Sequence, residues 1–269
     1  MRKKQASRIL LCKVLFIKIL FSLPVAAATQ LQWLTEHSPP GQYLDEQGKL
    51  SGVTVALIRE LQQRLDEPAD IQLLPWGRAM MMAKTEPNTA LFETVRTPER
   101  DSWFKWVGPL MHYHINLYGL RQRLGVNANT LVLPGKLIAC SYRNAATVND
   151  IKAFGFVEGR NLILTSQTGE CLDMLIAGRI DVVAITEYSL PAYAARVQAA
   201  GFELTTVHYL TERKRYIAFS NDVADERITA WQQALMQSYR DGTMRKLYQG
   251  AYSDAIISRL EHAAQAQQH

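Results

Sequence analysis

The stretch Arg96-Thr97-Pro98-Glu99-Arg100-Asp101-Ser102-Trp103-Phe104-Lys105-Trp106-Val107-Gly108-Pro109 gathers two arginines, two tryptophans and a phenylalanine among three prolines and glycines. That punctuation rules out one regular helix across it. A guanidinium fixed beside flat aromatic faces suits a small ligand with a carboxylate. Arginine grips the carboxylate through paired hydrogen bonds, and the rings cover an apolar part. The same residues also read as a surface arginine pair beside core tryptophans.

Strand-like and helix-like segments alternate on both sides of this stretch. Residues 31–34 read as a short apolar strand. Val53, Leu57, Leu61 and Leu65 recur every four residues with Ile58 beside them, so an amphipathic helix follows the turn marked by Gly48 and Gly52. Residues 71–74 read as a strand ended by Pro75, residues 77–84 as a helix, and residues 89–92 as another strand. Further on, strands at 136–140, 162–164 and 180–185 alternate with helices at 146–154, 170–177 and 189–200. The run at 180–185 hardly alternates, as expected of a central strand. This order predicts an α/β fold with mostly parallel sheets flanked by helices. Extended segments at 113–120 and 215–219 bracket the second block. They predict a chain that leaves one lobe, builds another and returns, the two crossings serving as a hinge. The expected division is 29–115 with 212–262 for lobe 1, and 116–211 for lobe 2. An Ala/Gln-rich tail at 263–269 reads as flexible.

The chain starts with Arg2, Lys3, Lys4 and Arg8, continues apolar, and reaches Ala26-Ala27-Ala28. That is the layout of a cleavable secretory signal peptide over residues 1–28. The uncharged apolar piece from Ile19 to about Gln30 is shorter than the ~20 residues a bilayer span needs. Export to the periplasm without a lipid anchor is the expectation. Cleavage also changes the charge. The whole chain carries 30 basic and 25 acidic residues. Residues 1–28 hold six of the basic ones and no acid, so the remainder is net −1. The apparent basicity belongs to the export segment and gives no reason to expect nucleic-acid binding. Beyond that segment only Cys140 and Cys171 remain. Export permits a disulfide between them, and two buried thiols are the alternative. No spacing of Cys or His suggests a metal site.

The order of several pieces resembles the periplasmic solute-binding proteins of family 3. These are Thr35-Glu36-His37-Ser38-Pro39-Pro40, Gly48-Lys49-Leu50-Ser51-Gly52, Pro75-Trp76-Gly77-Arg78-Ala79, residues 96–109, Ala177-Gly178-Arg179-Ile180-Asp181, and Asp241-Gly242-Thr243. The resemblance runs from Gln30 to about Ile257. It implies a two-lobe type II periplasmic-binding fold. It also implies a monomer that captures a small polar, carboxylate-bearing solute such as an amino acid, without a cofactor, and hands it to an ABC permease. Contact with the membrane would run only through that permease.

The resemblance also implies site residues. The family's carboxylate-binding arginine lies six residues before an aromatic, and Arg100 stands six before Trp106. Arg100 is therefore the first candidate and Arg96 the second. Trp76 falls where the family places an aromatic that stacks on ligand, or else belongs to the lobe core. Arg78 follows at a helix start, facing the cleft or water. Glu36 and Tyr43 lie beyond the first strand, and ligands in open α/β sheets sit beyond the carboxyl ends of strands. In the second lobe, Tyr142 and Asn144 lie on a strand-to-helix junction whose free N–H groups suit a carboxylate. Asn144 also reads as an N-cap. Amino acid binders of the family carry an Asp five residues after the position of Asp181, to pair with the ligand's ammonium. Here that position is Thr186, followed by Glu187, which substitutes if the strand end bends by one residue. Two other functions share such a fold: a dehydratase-like enzyme using His37, Glu36 or Glu187 as acid or base, and a periplasmic sensor module.

Overall fold

The structure is a computed structural model that describes residues 30–125, 131–143, 145, 147–167 and 169–265. The expected export segment, Asn144 and the end of the expected tail lie outside the described residues. Chain order begins with β1 (Gln32–Thr35), the small antiparallel pair β2 (Tyr43–Leu44) and β3 (Leu50–Ser51), and α1 (Val53–Arg64). Then come β4 (Ile71–Leu73), α2 (Trp76–Thr85) and β5 (Thr89–Val95). Helix α1 buries Leu57, Ile58 and Leu61 of the face its periodicity predicts, and Val55 beside them, while Val53 and Leu65 are half-buried. Gly52 caps it at φ 122°, and a Cβ there would lie 2.3 Å from the Gly41 carbonyl oxygen, so only glycine fits. Pro75 stands just ahead of α2, where its fixed φ and missing N–H cost nothing.

After a 3₁₀ turn at Asp101–Trp103, the chain enters β6 (Lys105–Leu120), a strand of 16 residues, and α3 (Arg121–Leu124). The second block is β7 (Ala139–Tyr142), α4 (Thr147–Ala153), β8 (Leu162–Thr165), α5 (Glu170–Ile176), β9 (Val182–Thr186) and α6 (Leu190–Ala199). The chain returns along β10 (Leu204–Phe219), again 16 residues, and ends in α7 (Asp225–Arg240), α8 (Thr243–Tyr248) and α9 (Asp254–Gln265).

Sheet order is β4-β1-β5-β10-β6-β9-β7-β8. Both arms are parallel: β4, β1 and β5 on one side, β8, β7 and β9 on the other. Between them, β6 and β10 pair antiparallel from Leu204↔Leu120 to Phe219↔Lys105, with three register shifts. The extended segments expected at 113–120 and 215–219 are therefore the ends of two much longer strands that cross from one lobe to the other. The main buried cluster has Trp33, Phe92, Phe219 and Trp231 as its aromatic centre, with Trp33 and Trp231 ring centroids 4.6 Å apart, and continues into the second block through Ala139, Ile151, Phe156, Leu162 and Val182. Cys140, Leu172, Leu175, Val183, Ile185 and Val197 form a separate cluster within the second block.

Candidate functional site between the lobes

In a parallel arm every strand points its carboxyl end the same way, so the loops that follow gather at one edge. Here both arms aim those loops at one cleft. Glu36 follows β1, Trp76 opens α2 after β4, and Arg100 follows β5. On the other side, Tyr142 ends β7, Thr165 ends β8, and Thr186 ends β9. All six line one cavity of about 940 Å³.

The floor is built on Arg215. Its Nη1 donates to Glu93 Oε2 at 2.8 Å, its Nη2 to the Tyr188 hydroxyl at 2.6 Å, and its Nε to the Tyr113 hydroxyl at 3.2 Å. Glu93 is 1 % exposed in its side chain and also accepts from the Thr54 hydroxyl at 2.9 Å. Burial opposes the Arg215 charge, yet Tyr113, Tyr188 and Glu93 around it hold its pKa well above the ordinary arginine value. Burial raises the Tyr188 phenol in turn, partly offset by Arg215. Tyr188 comes from the second lobe and stacks edge-on against Tyr113 and Tyr252, at 5.1 and 6.0 Å.

Two charged groups on the walls are uncommitted. Arg100 has no carboxylate within ion-pair distance among the described residues. Its Nη1 reaches the Val95 carbonyl at 3.4 Å, and its guanidinium lies 5.5 Å from the centre of the Trp76 ring. Burial lowers its pKa, with Glu99 and Glu36 pulling the other way; the side chain stays charged. Glu36 has no hydrogen-bond partner among the described residues. Burial raises its carboxyl above the ordinary value; Arg215 and Arg100 counter this, and Glu93 adds to it. Arg213 also lines the cavity but is tied to Asp150. The strand ends of the second lobe and α6 contribute neutral groups, including Ser141, Tyr142, Thr165, Gln167, Thr186 and Tyr193.

The cavity thus brings together Glu36, Trp76, Arg100, Tyr142 and Thr186 from the sequence-based candidates. Four others stand elsewhere. Tyr43 sits in β2 opposite Ser51, outside the lining. Arg78 is exposed on α2. Arg96 turns outward, where it pairs with Asp101 at 2.5 Å beside the Trp106 ring. Glu187 does not replace the missing acid: it is ion-paired to Arg259 of α9 and accepts the His114 N–H at 2.9 Å. The reason is the period of a strand. Glu187 opens the turn after β9, in which the Ser189 N–H reaches the Thr186 carbonyl at 3.1 Å, but its own N–H still continues the ladder to the His114 carbonyl at 3.0 Å, and neighbours along a ladder face opposite sides. Thr186 takes the cavity side, where its hydroxyl meets that of Ser189 at 2.6 Å. Sequence reasoning missed Glu93 and Arg215. A lone acid in the otherwise buried run of β5 was the visible hint.

The model of the bacterial extracellular solute-binding proteins, family 3, matches residues 31–253. The chain belongs to this family. No curated protein matches it in sequence. Solved structures of the family's fold align over most of the chain. An ancestral arginine-binding protein bound to arginine superposes with a TM-score of 0.69 at 17% identity, covering 83% of this chain and 98% of that one. A putative L-cystine ABC transporter protein from Listeria monocytogenes gives 0.69 at 17% identity, covering 84% and 98%. A histidine kinase sensor domain with similarity to periplasmic binding proteins gives 0.66 at 15% identity, covering 81% and 94%. At these identities the likeness speaks for the two-lobe fold. Among the described residues no helix is long and apolar enough to cross a membrane.

Proposed function

We propose that this family member captures a small zwitterionic solute, an amino acid or a close relative, between its lobes and delivers it to an ABC permease. The observation that carries the reading is the pair of uncommitted opposite charges in the cavity, Arg100 and Glu36. A ligand carboxylate satisfies the first and a ligand ammonium or other donor the second. Each charge-assisted hydrogen bond of this kind contributes about 1.5–3 kcal/mol. Trp76, against the Arg100 guanidinium, covers the apolar part. The ammonium partner is thereby Glu36 of lobe 1, in place of the lobe 2 acid whose position Thr186 fills. Binding begins on the charged lobe, and contacts with the neutral groups of lobe 2 draw it shut.

In this reading lobe 1 comprises 29–115 with 212–262 and lobe 2 comprises 116–211. The protein works as a periplasmic monomer after removal of residues 1–28, and does no covalent chemistry on its ligand. Mass spectrometry of small molecules released by denaturing the exported, purified protein tests it, together with a thermal-shift screen of amino acids and organic acids. The expected result is a zwitterion that raises the melting temperature; a ligand at 100 times its Kd adds about 2.7 kcal/mol. Release of nothing, and no shift across the panel, contradicts the reading.

A further inference from the structure

The uncommitted charges of the cavity, Glu36 and Arg100, both follow strands of lobe 1. Lobe 2 presents neutral groups from the carboxyl ends of two strands, with Ser141 and Tyr142 at the end of β7, and Thr165 at the end of β8 followed by Gln167. Charges act over distance and tolerate slack. A neutral hydrogen bond weakens steeply with angle and length, so a neutral wall serves a ligand only when its groups are held in place.

The sheet holds these groups only at its margin: Ser141, Tyr142 and Thr165 stand at the last paired positions of their strands, and Gln167 lies beyond them. Pairing of β7 with β8 ends at Tyr142↔Thr165. At that point the chain carries a covalent link: Cys140 of β7 is disulfide-bonded to Cys171 in the first turn of α5, the helix that follows β8. Both cysteines are buried, at 0% and 8% exposure, and both lie on the cavity wall. Thr165 completes the brace. Its hydroxyl is within reach of the Ser141 carbonyl at 3.5 Å and the Gln167 carbonyl at 3.3 Å, and lies 3.7 Å from Cys171 Sγ.

We propose that the Cys140–Cys171 disulfide is a positioning element for solute binding. It fixes the carboxyl ends of β7 and β8 relative to α5 so that their neutral groups are aligned before the solute arrives, and so governs how slowly bound solute leaves. This rests on the solute-binding reading above, but its first test needs no solute. Amide hydrogen exchange is compared between the oxidised full chain, the Cys140→Ser/Cys171→Ser variant, and the native chain reduced by a phosphine. The reduced native chain guards against a variant that fails to fold. Exchange is expected to rise about tenfold or more in peptides covering 139–147 and 163–172, and to stay unchanged along β6, β10 and lobe 1. A uniform rise over the whole chain makes the bond a general stabiliser and overturns the proposal, as does no rise in those peptides.

The second arm uses the twenty protein L-amino acids as probes in stopped-flow fluorescence. For each probe that binds the oxidised protein, the dissociation rate of the variant is expected to rise about tenfold and the association rate to stay within about twofold. Equal dissociation rates overturn the proposal. If no probe binds the oxidised protein, the solute is not one of the twenty protein amino acids, and the exchange comparison alone decides the positioning role.

Discussion

Replacing Glu93 with Gln is expected to lower stability by about 3 kcal/mol. The Gln isostere fills the same space and can still accept the Thr54 hydroxyl, so no cavity opens. What is lost is the carboxylate 2.8 Å from Arg215, whose own side chain is only 15 % exposed. Removing one member of a buried pair costs about 3–5 kcal/mol, because the remaining charge is left uncompensated. The lower end applies here, since Arg215 keeps its hydrogen bonds to Tyr113 and Tyr188 and borders a cavity. For a protein of this size the loss corresponds to a melting temperature lower by roughly 6–12 °C. Urea unfolding followed by tryptophan fluorescence measures it. Glu93→Leu with Arg215→Met removes both charges and is expected to recover at least half of the loss, because the desolvation cost disappears with the pair. A Glu93→Gln variant within about 1 kcal/mol of the native protein would refute the view that this pair is a committed, internally neutralised floor.

Three further outcomes follow from the same geometry. Burial raises the Glu36 carboxyl above 4.5, so in the ligand-free protein its ionisation opposes folding: stability is fully present below 4.5 and falls as pH rises through the higher folded value. Glu36→Gln is therefore expected to melt higher than the native protein at pH 7, with the gain vanishing below pH 4.5 in a thermal series, and to bind amine-bearing solutes more weakly. Glu187→Gln breaks the link to Arg259 and is expected to cost about 1–2 kcal/mol in urea unfolding while leaving solute retention intact, because Glu187 lies outside the cavity. Trp76→Ala is expected to weaken binding of solutes with apolar side chains more than that of glycine, read by titration calorimetry; equal losses for both would remove the ring from the ligand's path.

Much of the fold was legible in the sequence because alternation of apolar periods with Gly and Pro breaks is a local signal. Val53, Leu57 and Leu61 announce α1, and Pro75 separates β4 from α2. The full length of the crossing strands was hidden. Gly108 and Pro109 interrupt β6, and the charged run Glu212-Arg213-Lys214-Arg215 interrupts the apolar pattern of β10, although both segments are extended throughout. Arg100 and Trp76 were visible through the family resemblance, by spacing to Trp106 and by position, and Glu36 because it follows a strand end. Arg215 and Glu93 were not, since their pairing joins residues 122 apart in sequence. Thr186 and Glu187 differ by one position, and only the strand register decides which of them meets the cavity. The state of Cys140 and Cys171 depended likewise on a spatial fact, their Cα atoms lying 5.5 Å apart.

The central claim is that the lobes close on a zwitterion held by Arg100. Small-angle scattering of the native protein and of Arg100→Ala, each with and without the solute recovered from the native protein, tests it most directly. The account predicts that the solute reduces the radius of gyration of the native protein and leaves that of Arg100→Ala unchanged. Equal compaction of both proteins, or of neither, would contradict it.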